Sequence, residues 1–335
     1  MQGETLTLQH QKDVKFAVVV IGRNEGERLK LCLESLPATA TVIYVDSGST
    51  DGSVEWARER STEVIELDRN TPFTAARARN VGFKRAREIA PNVSYVQFVD
   101  GDCQISDDWF VNAISFLDSH KDFAAVCGRL RERYPSRSIY NWLCDREWDV
   151  PPGEVRTVGG IAMMRTDAVE TVDGFRDDLI AGEEPELCVR LRSLGWRIWR
   201  LGVEMALHDA AIFHFGQWWL RAQRSGFCFA QGSYLHGATP EKHYTWESRR
   251  AWLWGIWLPL GCLTASLTMF PWGLTTWLIY PFQVIRQTMR NTGSLTDRLT
   301  IAFFQVLGRF PESFGQVKFL VGRMFGRKAG LIEYK

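Results

Sequence analysis

The first half of the chain alternates short β-branched runs with amphipathic helical stretches. Phe16–Ile21 (FAVVVI) is an uninterrupted apolar run, the pattern of a strand covered on both faces. After Gly-Arg-Asn-Glu-Gly, a helical segment reaches about Leu36 and is stopped by Pro37. Thr41–Val45 predicts a second strand that ends at Asp46 and the turn-rich SGSTDGS, with Asp51 as N-cap of a helix through Arg60. Glu63–Leu67 reads as a third strand and Thr74–Ile89 as a helix. Ser94–Val99 reads as a fourth strand that runs straight into Asp100. A helix from about Asp107 to Ser119 and a strand near Phe123–Cys127 follow. Arg129–Pro152 has no clean period and reads as a loop with a helical piece around Ser138–Trp148. Beyond it come a strand over Gly159–Met164, a helix over Glu184–Leu194 closed by Gly195, and a strand over Trp196–Leu201. This βαβα rhythm predicts an α/β fold with a mostly parallel central sheet and helices on both faces. Ligands of such sheets gather beyond the carboxyl ends of strands. Asn24, Asp46 and Asp100 all lie just past such ends.

The pattern changes in the last third. Ala251–Ile285 contains no charged residue, and a bilayer-spanning helix needs about 20 predominantly apolar residues. The run therefore has room for two candidate spans, about 251–270 and 272–289, broken near Pro271. A re-entrant or interfacial hairpin and a buried soluble core are the alternatives. Arg249 and Arg250 precede the run and Arg286 and Arg290 follow it, so a hairpin that enters and returns fits better than a single crossing. From about Leu299 to Phe325, Phe, Val and Leu alternate with Arg and Lys, as in an interfacial amphipathic helix. The expected division is an N-terminal tail (1–14), an α/β catalytic domain (15–235) and a membrane-associated helical region (236–335).

Composition narrows the function classes. Lys plus Arg number 40 and Asp plus Glu 39, so bulk charge gives no reason to expect a nucleic-acid partner. The seven cysteines are widely spaced with no C-x-x-C pair, which fits a reducing cytosolic setting better than a disulfide framework or a zinc ribbon. MQGETLTLQHQKDVK is polar and unlike a signal peptide. Motifs of P-loop, dinucleotide-binding and zincin proteins do not occur.

The chemistry concentrates in carboxylates. Asp100-Gly101-Asp102 follows a buried strand, and two carboxylates one residue apart in a sharp turn can share a hard divalent cation. Alone, such a turn is more often merely solvated. Its position downstream of VDSGSTD strengthens the metal reading.

At this point the chain resembles the family 2 glycosyltransferases of the membrane-associated bacterial type, inverting enzymes with the GT-A fold. The resemblance rests on VVVIGRNEGERLKLCLESL (18–36), VIYVDSGSTDGSVEWA (42–57), AARARNVGFKRA (75–86) and YVQFVDGDC (95–103). GGIAMMRTDAVETVDGFRDDL (159–179) and GEEPELCVRLRSLGW (182–196) extend it, to roughly residues 15–225 in all. It implies a nucleotide-sugar donor and a divalent metal, Mg2+ or Mn2+. It also implies that Asp46 hydrogen-bonds the nucleobase and that Asn24 and Glu25 lie in the nucleotide-proximal loop. Asp100 would face the donor's ribose or sugar, and Asp102 would bind the metal beside the diphosphate. Many members read VDDGS where this chain has Val45-Asp46-Ser47.

The segment Gly182–Leu187 corresponds to the family's E-D-x-D-L-like region, where the catalytic base sits. Glu184 is the first choice for that base and Glu183 the second; apart from the resemblance, an acidic first turn favourable to the helix dipole is the simpler reading. Some members of the fold use a later His as a further metal ligand, which suits His208. Gln217-Trp-Trp-Leu-Arg loosely resembles the Q-x-x-R-W element of processive synthases. It makes Trp218 and Trp219 candidates for stacking on an acceptor sugar, and Arg221 and Arg224 candidates for the donor's diphosphate. Arg77 and Arg79 are further candidates for donor contacts, with an exposed helix face as the alternative.

The expected activity is inverting hexosyl transfer from a nucleotide sugar to an acceptor hydroxyl. A lipid-linked or glycan acceptor, as in polysaccharide or glycolipid biosynthesis, would place it at the cytoplasmic face of the bacterial inner membrane. A nucleotidyltransferase on a similar sheet and a non-catalytic membrane scaffold are the alternatives.

Overall fold

A computed structural model of the chain describes residues 16–60 and 63–326. The tail expected over 1–14 lies outside the described residues. They divide into two units, one ending at Phe213 and the other beginning at His214.

The first unit is built on one sheet. Its strands are β1 (Phe16–Gly22), β2 (Thr41–Asp46), β3 (Glu63–Glu66), β4 (Tyr95–Asp100), β5 (Cys103–Ile105), β6 (Phe123–Glu132), β7 (Gly153–Glu154), β8 (Ala162–Arg165) and β9 (Arg197–His208). Between them lie helices α1 (Glu27–Glu34), α2 (Ser53–Glu59), α3 (Ala75–Ile89), α4 (Trp109–Ser119), α5 (Ile139–Trp148), α6 (Thr166–Thr171) and α7 (Glu183–Ser193). The spatial order is β3-β2-β1-β4-β8-β6-β9-β5, with β7 beside β9.

The sheet is mixed rather than parallel throughout. β3, β2, β1 and β4 run parallel, while β8 is antiparallel to both β4 and β6. The parallel half holds the apolar runs seen in the sequence. Val18, Val19, Val20, Ile43, Val45, Val96 and Val99 are fully buried between the helical layers, and burying such a side chain stabilises the fold by roughly 1.5–3 kcal/mol.

Three element boundaries differ from the sequence reading, each for a physical reason. β6 continues to Glu132, past the predicted end at Cys127, because it pairs in parallel with β9 along its whole length. Its charged residues find partners at the rim: Arg129 meets Asp149 at 3.2 Å and Arg131 meets Asp145 at 2.9 Å. β9 likewise runs on to His208, where polar residues obscure the strand pattern. At the start of α2 the N-cap position is taken by Gly52 in the left-handed region (φ 83°), while Asp51 accepts from the Ser53 amide one step upstream.

The second unit is helical. Its elements are α8 (Phe215–His236), α9 (Thr245–Trp252), a π-helical turn (Leu253–Trp257), α10 (Leu258–Thr268), a 3-10 helix (Trp272–Leu278), α11 (Ile279–Thr288), α12 (Leu295–Leu307) and α13 (Arg309–Met324). α8 and α13 cross at close range: a Cβ on Gly226 would lie 1.9 Å from the Glu312 carbonyl oxygen, and one on Gly315 2.0 Å from that of Gln223. α9, the π turn and α10 form one continuous helix, Thr245–Thr268. Among the described residues it is the one helix long and apolar enough to cross a membrane. At 24 residues it measures about 36 Å. Only 11% of its apolar window is buried within the chain, so core packing does not account for its composition. The return arm pairs its polar groups with this helix: Trp277 Nε1 donates to Ser266 Oγ at 3.1 Å, and Tyr280 Oη to the Trp254 carbonyl at 2.8 Å.

Candidate active site

The carboxyl ends of β1, β2 and β4 sit side by side because the three strands are adjacent and parallel. Gly22 pairs with Asp46 and Ile21 with Asp100, so the loops after the three strands begin at the same level. These loops are laced together. Asn24, held at φ 55°, takes Thr50 N–H on its Oδ1 at 2.8 Å and donates its own amide to Ser49 Oγ at 2.9 Å. Glu25 pairs with Arg28 at 2.8 Å.

Asp46 is fully buried and its carboxylate organises the turn that follows. Oδ1 accepts from Tyr44 Oη at 2.9 Å and from Ser49 Oγ, and Oδ2 from the amides of Gly48 (2.8 Å) and Ser49 (2.7 Å). Burial beside this carboxylate pushes the Tyr44 phenol far up, so it stays a donor. Arg77 lies on the solvent side of α3 and braces the loop before it, donating to the carbonyls of Asp68 (3.1 Å) and Thr71 (2.9 Å).

Asp102 and His208 are brought together by strand register. β5 pairs antiparallel with β9 so that Cys103 faces His208, and the Asp209 amide bonds the Asp102 carbonyl at 3.1 Å. The His208 Nε2 then lies 3.2 Å from Asp102 Oδ2. Cys103 completes a group whose ligand atoms fall within 4.8 Å of one another. Its sulfur is 3.3 Å from Asp102 Oδ1, the place of an S–H donor to that carboxylate. A buried carboxylate and a converging imidazole suit a hard or borderline divalent cation; the thiol is the poorer match for Mg2+ or Mn2+.

His208 is held from behind. The Trp148 ring meets it edge-on at 4.8 Å. Buried Glu132 accepts from the Ala210 amide at 2.9 Å and from Asn141 Nδ2 at 3.1 Å, and Asn141 in turn accepts from the Ile212 amide at 3.0 Å. These bonds fix the chain immediately after the imidazole.

The sequence reading left Arg79 between a donor contact and an exposed position. It is buried, so the exposed helix face does not hold. Only 2% accessible, it extends from α3 into a cluster of three carboxylates. Nη1 bonds Glu183 Oε1 at 2.9 Å, while Nη2 bridges Asp100 Oδ1 at 2.8 Å and Glu184 Oε1 at 2.9 Å. The signal for its burial was present in helical spacing. Ala76, Arg79, Phe83 and Ala86 share the buried face of α3, so Arg79 stands on the apolar stripe.

Gly160 makes room for the same cluster. A Cβ there would lie 2.2 Å from Asp100 Oδ2 and 2.9 Å from Arg79 Nη2.

The three carboxylates differ in access. The side chain of Asp100 is 35% exposed, that of Glu184 13% and that of Glu183 5%. Burial raises the Glu184 carboxyl to about 7, opposed by the Arg79 guanidinium and assisted by the charges of Glu183 and Asp100. Glu186, by contrast, is committed to Arg190 one turn along α7 at 2.8 Å. Trp218, Trp219, Arg221 and Arg224 all lie on α8, in the second unit. There Trp218 packs edge-on against Phe304 at 5.0 Å and Trp219 lies 6.0 Å from Phe314, so both rings contribute to helix packing.

Residues 17–171 match the family described as Glycosyl transferase family 2. They are a family 2 glycosyltransferase domain. This transferase is 25% identical over 213 residues to Glycosyltransferase AglE from Haloferax volcanii, covering 59% of this chain and 67% of that protein. It is 26% identical over 200 residues to the Succinoglycan biosynthesis protein ExoA from Rhizobium meliloti, where the match covers 54% of this chain and 59% of the relative. Its fold is similar to that of Mannosyltransferase PcManGT from Pyrobaculum calidifontis, solved in complex with GDP-Man and Mn2+. The TM-score is 0.57 at 17% identity, with 94% of each chain covered. The expected GT-A fold is thus borne out, and the transferase is an enzyme of sugar transfer.

Proposed function

We propose that the transferase is an inverting enzyme that moves a sugar from a nucleotide-sugar donor to an acceptor hydroxyl, with Glu184 as the catalytic base. The observation that carries this reading is the Arg79 bridge. One guanidinium nitrogen holds Asp100, at the end of the donor-side strand β4, and Glu184, at the start of α7. A base must be partly open, close to the donor site and able to hold a proton near neutral pH. Glu184 meets these conditions, and its neighbour Glu183 is too deeply enclosed.

In this mechanism the acceptor oxygen attacks the anomeric carbon as Glu184 takes its proton, and the bond to the diphosphate breaks on the opposite face. Asp46 acts through the turn it builds, which with Asn24 and Glu25 shapes the wall for the nucleoside. Asp100 faces the donor's ribose or sugar. The residues fit for a divalent cation are Asp102 and His208, and a bound cation would supply positive charge to the departing diphosphate. Arg77 would support the donor loop. The name of ExoA, a succinoglycan biosynthesis protein, favours a role in polysaccharide assembly, and the exposed apolar hairpin favours a lipid-linked acceptor at a membrane surface.

The deciding experiment is a screen of nucleotide sugars with Mg2+ or Mn2+ and glycan or lipid-linked acceptors. Release of nucleoside diphosphate with inversion at the anomeric carbon, read by NMR, is the expected result. Release of pyrophosphate, or retention of configuration, would overturn the proposal.

A further inference from the structure

The second unit contains a cavity of about 260 Å3 with a lining unusual for a helical bundle: Arg250, Trp254, Gln283, Gln287, Gln305, Val306 and Arg309. Two guanidinium groups and three carboxamides converge there from α9, α11, α12 and the first turn of α13.

The cavity is rigidly framed. A Cβ on Gly255 would lie 2.4 Å from the Arg309 carbonyl, so the π turn presses directly on the start of α13. Gln316 is fully buried and clamps α9 to α13, accepting from Ser248 Oγ at 2.6 Å and donating to the Ser248 carbonyl at 3.1 Å.

The cations are unequally satisfied. Arg309 spends Nε on the Gln305 carbonyl (3.0 Å) and Nη1 on Glu312 (2.5 Å). Arg250 Nε is buried without a hydrogen-bond partner, and among the described residues no carboxylate pairs with its guanidinium. Burial and the nearby Arg250 charge pull the Arg309 pKa down against the pull of Glu312 and Glu247. An anion in the cavity would relieve both groups.

We propose that this cavity binds a phosphoryl group, a phosphate or diphosphate monoester, through Arg250 and Arg309, with the glutamine carboxamides completing its hydrogen bonds. Guanidinium forks match phosphate oxygens better than any other side chain. Placement points to a lipid as the carrier. Arg250 immediately precedes the uncharged run Ala251–Ile285, and Gln283 and Gln287 bracket its other end. The cavity therefore lies where both apolar arms begin. A head group held there would leave its hydrocarbon chain beside the exposed Leu253, Phe282 and Ile285. This placement rests on the membrane reading proposed above; the phosphate chemistry does not.

The test uses the full chain and three probes: neutral phosphatidylcholine vesicles, the same vesicles with a minor fraction of phosphatidate, and soluble inorganic pyrophosphate. Flotation should show the chain on neutral vesicles and about tenfold stronger partition with phosphatidate. Arg250→Gln breaks no ion pair, and Gln287→Glu adds a repelling charge; each should abolish the phosphatidate preference and leave neutral partition unchanged. Protection by pyrophosphate against thermal unfolding, lost in both variants, without a phosphatidate preference, supports the site with a soluble ligand instead. Failure to float on neutral vesicles sinks the membrane reading alone, and the pyrophosphate arm then decides the site. A phosphatidate preference or pyrophosphate protection that survives both substitutions, or the absence of both effects in the native chain, overturns the proposal.

Discussion

Replacing Arg79 by methionine keeps most of its volume and removes its charge, so the consequences are electrostatic first. Three carboxylates lose their shared cation: Glu183, Glu184 and Asp100. Removing one partner of a buried ion pair costs roughly 3–5 kcal/mol, because the opposite charge stays behind. That is a large part of the 5–15 kcal/mol that keeps a typical domain folded. The folded variant can reduce the cost by taking up protons.

The sign follows from Glu184. Its carboxyl is raised from 4.5 to about 7. The native state therefore holds the proton between those values and the unfolded chain does not. Stability from this group is fully present below about pH 4.5, falls as pH rises, and is lost above about pH 7, roughly 3 kcal/mol in all. Without Arg79 to oppose it, the carboxyl rises further and the decline extends to higher pH. The expected result is a Tm deficit of Arg79→Met that is small near about pH 5 and grows through about pH 8, measured by thermal unfolding across a pH series. The acidic limb of the rate profile should move up in parallel. A deficit of equal size at every pH would refute the reasoning, because it would assign Arg79 to packing, for which its contact with the Phe175 ring at 5.6 Å is the candidate.

Other substitutions separate the remaining roles. Glu184→Gln should retain donor binding by calorimetry and lose about 10²–10⁴-fold in transfer rate; normal turnover would mean that the base lies elsewhere. Asp102→Ala and His208→Ala should each weaken Mn2+ binding, followed by the metal's paramagnetic signal, and unchanged affinity in both would dismiss this pair as the metal site. Gly160→Ala puts a methyl group where Asp100 Oδ2 now sits, so turnover should fall sharply with the fold preserved by circular dichroism. Native activity in that variant would show that the Asp100 carboxylate is free to move.

The parts of this molecule legible in the sequence are those coded locally. A strand covered on both faces writes a continuous apolar run, so β1, β2 and β4 and the residues that follow them were placed within a residue or two. Strands at the mixed side of the sheet were cut short. Their later residues are charged or polar, and what keeps them extended is a partner strand far away in sequence: β6 and β9 hold each other out to Glu132 and His208. The candidate site shows the same split. Asp46, Asp100 and Asp102 stand at strand ends and could be read directly, and Glu183 and Glu184 open a helix. The pairing of His208 with Asp102 depends on a register across 106 positions that no local pattern encodes.

Arg79 is the most instructive case. Its position on the apolar stripe of α3 shows that it is buried, and a buried guanidinium requires anions. The only way α3 can supply them is through elements packed on that face, and the acidic groups there belong to the end of β4 and the first turn of α7. The helix therefore does more than cover the sheet. It carries the cation that allows Asp100, Glu183 and Glu184 to share one enclosed space. The three carboxylates lie within reach of one nitrogen fork, and without it their mutual repulsion would raise the proton affinity of Glu184 further. In this arrangement the proton affinity of Glu184 is a property of the whole cluster. Any ligand that adds charge beside Asp100 would shift it, and with the proposed roles of Asp100 and Glu184 this would couple donor binding to the readiness of the base.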